Sequence, residues 1–274
     1  MDRKAVASGS FYPSDPEELR DYVRELFISK RGAGELPDPD GFKKNVGIIV
    51  PHAGYMYSGA TATHAYFAAS EFGKPDIVVI IGPNHTGYGK PISVWPMGEW
   101  KTPLGSVAID SSMANALVES FPASALDYDA HLFEHSIEVQ IPFLQFTLGT
   151  GFKILPICMM DQRKDTAMKL ANALKKLLIG KRFWIVASTD LNHYEDHETT
   201  LYKDKLVMDA ILNTNTEELY YILDKEKITM CGFGPVSTLL LMEIGTPKIL
   251  HHSTSGEISD DFDQEVGYLA ACVC

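Results

Sequence analysis

Three stretches of the chain are apolar at every position, and each runs straight into residues that bind metals or move protons. They read VGIIV at 46–50, IVVII at 77–81 and FWIVA at 183–187. Short β-branched runs without polar alternation are expected of strands covered on both faces. Between them the period becomes helical. Leu19, Tyr22, Val23, Leu26 and Phe27 form one apolar face, with Asp15 placed to cap the helix, Pro16 in its first turn and Glu18 at the third position. Residues 57–72, 111–120, 135–148, 166–178, 201–212, 217–223 and 236–244 also read as helices. FKILPIC at 152–158 adds a strand. ISVWP and VAID read as a short strand pair across the loop KTPLG, and PKILHHST and EVGYLAACV as two closing strands. Alternation of this kind predicts an α/β fold, with a largely parallel or mixed central sheet and helices on both faces. The one linker-like stretch, 29–41, lies too near the N-terminus to divide the chain, so residues 1–274 are expected to form a single domain.

Composition narrows the classes. The net charge of −12 gives no pull towards nucleic acid or anionic membrane, and no basic-aromatic cluster is present. No run nears the ~18 apolar residues of a membrane span, and MDRKAVASGSFYP has no signal-peptide core. Cys158, Cys231, Cys272 and Cys274 show neither a CxxC pair nor a disulfide framework, which predicts a reducing, cytoplasmic location. There is no G-x-S-x-G elbow, P-loop or G-x-G-x-x-G after a strand.

The candidate chemistry sits where strands end, because ligands of open α/β sheets bind beyond the carboxyl edge. After 46–50 come Pro51 and His52. After 77–81 come Gly82, Pro83, Asn84 and His85, and after 183–187 come Ser188, Thr189, Asp190 and His193. His52 and His85 are 33 positions apart, about one βαβ unit, so they converge if their strands are neighbours. One histidine at a strand end is ordinarily structural; three such exits favour a shared site. Cys231 precedes the glycine-rich turn GFGP, where free N–H groups at a helix start, Gly232 included, would favour an anion and lower the thiol's pKa. In AHLFEHSIEVQ, His135 and Glu138 are candidate pocket-lining acid/base groups and His131 is read as structural. His251 and His252 should face opposite sides of a strand. His64 and His197 are read as packing or surface residues.

AVASGSFYPSDPEEL, PHAGYMYSG, GPNHTGYG, KTPLGSVAID, EHSIEVQIPFL, STDLNHY, CGFGPVSTLL and EVGYLAA stand in the order seen in the Memo family, which the chain resembles over nearly its whole length. That family takes its name from a vertebrate mediator of cell motility, and its archaeal and bacterial members are linked by name to radical-SAM and AMMECR-type proteins. The resemblance implies a fold similar to the class III extradiol dioxygenases. It also implies a metal held by His52, His85 and Cys231, with Asp190 and His193 as catalytic groups and His135, Glu138, Asn84 and Gly232 contacting substrate. A thiolate with two imidazoles suits copper or zinc and also holds iron, whereas the dioxygenases use a carboxylate. The expectations are oxidation of a small molecule, or a pocket that binds a small molecule or peptide without turnover. A metal-free hydrolase with Cys231 as nucleophile and His193 as base ranks below both.

Overall fold

The computed structural model describes residues 1–274. Its elements follow in chain order. They are α1 (Pro16–Ile28), β1 (Val46–Val50), α2 (Ala60–Ser70), β2 (Ile77–Pro83), β3 (Ile92–Val94), β4 (Glu99–Thr102), β5 (Gly105–Ile109), α3 (Ser111–Ser120), β6 (Ser124–Leu126) and α4 (Gln140–Leu148). Then come β7 (Lys153–Met159), α5 (Lys164–Leu177), β8 (Phe183–Ser188), β9 (His193–Glu195), α6 (His197–Leu212), α7 (Thr216–Lys225), α8 (Phe233–Leu241), β10 (Pro247–Thr254), α9 (Gly256–Ser259) and β11 (Glu265–Val273).

The three fully apolar runs are strands buried at every position. Their side chains alternate between two cores. Ile49, Val79, Ile81, Leu155 and Ile185 face one, beneath α3, α5, α6, α7 and α8. Ile48, Val78, Ile80, Ile154 and Val186 face the other, beneath α1, α2 and α4. Two apolar faces explain why these strands show no polar alternation. The sheet has 11 strands, and its main path runs β10-β11-β1-β8-β2-β7-β3-β6. β1, β8, β2 and β7 are parallel, so their carboxyl ends share one edge. β11 is antiparallel to β1 and β10 to β11, so the sheet is mixed, as expected.

Four local readings need correction. ISVWP and VAID do not pair: β3 joins β7 and β6, while β5 pairs with EWKT, now β4, and with β7. Alternating Glu99, Trp100, Lys101 and Thr102 is an exposed-buried strand pattern, of which Lys101 and Thr102 fall in the expected loop KTPLG. The helix expected from His135 starts at Gln140, so His131 and His135 share no helix face. Residues 55–59 form a wide π turn before α2. The cap on α1 is as the residues suggest: Asp15 accepts from the N–H groups of Glu17 and Glu18.

The N-terminal segment carries an unforeseen structural role. Arg3 is 1% exposed, and its guanidinium stacks 4.2 Å from the Trp100 ring. It donates to the carbonyls of His131 (2.7 Å) and Glu134 (2.6 Å) and pairs with Glu138. The first strap of chain thereby pins the irregular loop that carries residues 131–138 over the carboxyl edge of the sheet.

Candidate metal centre

β1 and β2 are not neighbours; β8 lies between them. The convergence of the two histidines therefore has a different origin from adjacent strands. All three exits leave side by side, with His52 and His85 flanking the exit that carries Ser188 to Asp190. Cys231 enters from the turn before α8. The ligand atoms of His52, His85 and Cys231 lie within 4.8 Å of one another. Cys231 Sγ is 3.2 Å from His52 Nε2. Two such atoms on one tetrahedral zinc would stand about 3.5 Å apart, given metal bonds of about 2.3 Å to sulfur and 2.0 Å to nitrogen.

Hydrogen bonding decides which imidazole nitrogens are free. Ser188 Oγ donates to the Ser136 carbonyl (2.7 Å) and accepts from Gln140 Nε2 (3.0 Å). Its only proton is spent, so at 2.8 Å His52 Nδ1 must donate to it. His52 Nε2 then carries the lone pair and faces the thiol. His85 Nδ1 lies 2.8 Å from Glu134 Oε1, an acceptor, so the neutral form of His85 keeps its proton on Nδ1 and leaves Nε2 bare. Metal-binding histidines are commonly held in this way, by an acceptor on the far nitrogen.

Burial sets the electrostatics. His52 is 2% exposed, and burial followed by the neighbouring histidines His135, His85 and His193 holds it well below the usual histidine range, hence neutral. Burial also opposes charge on His85, but the Glu134 hydrogen bond and charge outweigh it, and its pKa is raised. Burial holds His135 down to about 4 against the pull of Glu134. Asp190 is pushed up to about 6 by burial, although its Oδ1 accepts the His52 backbone N–H at 2.8 Å. Its Oδ2 lies 4.0 Å from His52 Nε2. His193, half-buried in β9, acts electrostatically on both His52 and Asp190, and its Nδ1 has no hydrogen-bond partner.

The thiol differs from expectation. Cys231 keeps some residue surface exposed, but packing around Sγ, followed by the Asp190 charge, pushes its pKa up. The N–H of Asp190, 3.1 Å from Sγ, opposes this and does not win. Nor is the start of α8 an open anion site. Gly232 N–H donates to Thr189 Oγ1 (2.9 Å) and Gly234 N–H to Gln162 Oε1 (2.8 Å). Gly232 is required by close packing: a Cβ there would meet the Ser188 carbonyl oxygen at 2.3 Å. Gly232→Ala should therefore displace Cys231 and lower stability by about 1–3 kcal/mol, read from denaturant midpoints. An unchanged midpoint would show that the turn relaxes freely.

Two further expected pocket residues are engaged elsewhere. Asn84 Oδ1 accepts from Thr86 N–H, Thr86 Oγ1 and Gly87 N–H, and its amide donates to the Tyr88 carbonyl, so its side chain shapes the loop. Both Glu138 oxygens are taken by Arg3, the N–H groups of Val6 and Ala7, and the Tyr12 hydroxyl. His135 does join the cluster: it stacks on His85 at 4.7 Å and on Phe11 at 4.5 Å. Phe11, Gln140 and Glu134 lie in the motifs that carry the family resemblance without being nominated as site residues, and Ser188 stands there only as a strand exit; their roles come from hydrogen bonds and stacking that residue type does not reveal. His252 bonds to the buried Asp204, His251 stacks on His64, and His197 bonds to Glu265, so these four histidines have structural partners.

The fold and this cluster define an α/β protein with two histidines and a cysteine gathered at the carboxyl edge of parallel strands. The family described as "Memo-like protein" matches residues 3–272, and the chain belongs to it. A "MEMO1 family protein" of Thermotoga petrophila is 50% identical over 99% of each chain. Another of the same description, from Sulfolobus acidocaldarius, is 44% identical over 98% of each. The crystal structure of an uncharacterized protein, JW3007, from Escherichia coli K12 has the same fold at a TM-score of 0.58 and 14% identity, covering 84% of this chain and 99% of that one. No helix is long and apolar enough to cross a membrane.

Proposed function

We propose that His52, His85 and Cys231 hold one transition-metal ion, and that the pocket beside it takes a small molecule for oxidation. One observation carries the metal reading. Two imidazoles and a sulfur each bring one ligand atom within 4.8 Å of the others, while Nδ1 of each imidazole is already bonded to an oxygen. A soft thiolate with two imidazoles favours copper(I), zinc or iron. Bound there, the ion would supply Lewis acidity, and one-electron chemistry if it is iron or copper.

The chain's own groups would handle protons. Asp190, with a pKa near 6, is populated in both forms around neutrality, which suits an acid/base. His193 offers an unpartnered Nδ1, and His135 a neutral ring held between Phe11 and His85. A pocket that binds without turnover is the second reading, favoured by cysteine in place of a carboxylate.

Metal analysis after anaerobic purification tests the assignment. The parent should carry one equivalent, and His52→Ala and Cys231→Ser should fall to background while melting cooperatively. Variants that retain the parent's metal would sink it. Oxygen uptake by the loaded protein with candidate substrates then separates oxidation from binding alone.

A further inference from the structure

We propose that Glu134 is a positioning residue for this centre: it clamps His85 at two points and so keeps the lone pair of Nε2 directed at the ligand cluster. The proposal rests on the metal reading of the same site and names the group that prepares it.

Glu134 is 1% exposed. Its Oε2 accepts the His85 backbone N–H at 2.5 Å, and its Oε1 accepts the His85 ring Nδ1–H at 2.8 Å. Both oxygens of one carboxylate thus hold a single residue, by its main chain and by its side chain. A contact to the backbone alone would leave the ring free to rotate. A contact to the ring alone would let the loop drift.

The carboxylate is itself held. Oε1 accepts the Ser136 N–H at 2.9 Å, the Glu134 carbonyl accepts from Arg3 at 2.6 Å, and Ser136 Oγ donates to the Pro83 carbonyl at 2.9 Å. The packing is close on the β2 side too, where a Cβ on Gly82 would meet Ser136 Oγ at 2.6 Å. The loop and the end of β2 therefore move as one body.

Glu134 Oε1 also lies 3.5 Å from His135 Nδ1. His85, Glu134 and His135 consequently also have ligand atoms within 4.8 Å of one another. That grouping is not a second metal site on these bonds. Every contact of Glu134 with His85 is that of an acceptor facing N–H, and occupation by a metal would require His85 Nδ1 to lose its proton and Glu134 to abandon Ser136.

Glutamine is the informative replacement because it keeps the shape. Its amide must turn an NH2 towards one of the two N–H groups of His85. If it faces the ring, the lone pair moves to Nδ1, and the proton on Nε2 blocks the ligand position. Removing an acceptor of this kind ordinarily costs about 10–100-fold in metal affinity.

The experiment has two readouts on the parent, Glu134→Gln and Glu134→Asp. Long-range proton–nitrogen NMR of metal-free protein at alkaline pH reports the His85 tautomer, and competition with a chelator reports zinc(II) affinity. The parent should show unprotonated Nε2 on His85. The Gln variant should show mixed tautomers at His85 with His52 unchanged, and affinity about 10–100-fold lower. Aspartate, which keeps the acceptor, should restore the tautomer and part of the affinity, and it serves if the Gln variant does not fold. Parental tautomer and affinity in Glu134→Gln would overturn the proposal. So would loss of tautomer control in both variants at His85 and His52 alike, which marks general loosening. Absence of zinc binding by the parent, with the tautomer shift intact, would refute the metal reading and leave the clamp standing.

Discussion

Glu138→Ala should destabilise the protein by about 3–5 kcal/mol, measured as a shift of the denaturant midpoint at constant slope. The carboxylate is fully buried and has four donors: Arg3, the backbone of Val6 and Ala7, and the Tyr12 hydroxyl. Alanine removes all four acceptor contacts at once and leaves the Arg3 guanidinium 1% exposed without its counter-charge. The carbonyls of His131 and Glu134 still hold Arg3, so the charge cannot escape to water without releasing the loop above the candidate metal centre. Arg3→Met combined with Glu138→Leu should recover part of the loss, because a buried pair replaced by apolar groups costs far less than a pair broken on one side. A loss below about 1 kcal/mol for Glu138→Ala would show that water reaches the pair and that the strap is not anchored here.

Acid should destabilise the protein through His131, by up to about 4 kcal/mol between pH 6.5 and 3. His131 is fully buried, boxed edge-on by Trp95 and Trp100, with Nε2 bonded to the Ser93 carbonyl and Nδ1 unpartnered. Burial, and then the charge of Arg3, holds its pKa down to about 3 from an ordinary 6.5. Above 6.5 neither folded nor unfolded chain binds this proton, so it adds no pH dependence. As pH falls from 6.5 to 3 the unfolded chain binds it and the folded one does not, so stability falls throughout that window. Asp190 acts in the opposite sense, since its raised pKa lets the folded chain take a proton first between about 6 and 3.8. The clean comparison is therefore the parent against His131→Phe, which keeps a ring between the tryptophans. The parent should lose stability relative to His131→Phe as pH falls from 6.5 towards 4. Parallel curves would show that His131 does not stay neutral.

Much of the fold was legible because local rules decided it. Short, β-branched, fully apolar runs suit strands with two covered faces, and Asp15-Pro16 before an apolar helical period suits a helix start. The errors fell where partner choice overrides local pattern. ISVWP and VAID are both sound strands, but EWKT, directly before the turn, takes the hairpin position opposite VAID, and ISVWP pairs with β7 instead. His135 seemed helical from the apolar spacing that follows it, yet Glu134 and Ser136 are spent on β2 and hold that turn open.

For the site, residue type and position at strand ends were enough to nominate His52, His85, Asp190 and His193, because that edge is where a parallel sheet exposes its chemistry, and Cys231 was nominated from the glycine-rich turn that opens α8. Sequence could not say what each polar group was already bonded to. Asn84 and Glu138 look like pocket residues until their acceptors prove occupied by Thr86, Gly87, Arg3 and the N-terminal strap. The helix start at Gly232 looks like an anion site until Thr189 and Gln162 take its N–H groups. The chain by itself determined the sheet, its exits and the candidate ligand types, all set by period, side-chain volume and donor chemistry within a few residues. Only the tertiary structure decided that β8 separates the two histidines, which imidazole nitrogens stay free, and that the buried thiol is hard to ionise. Those depend on hydrogen-bond partners and desolvation supplied by residues up to 179 positions away along the chain.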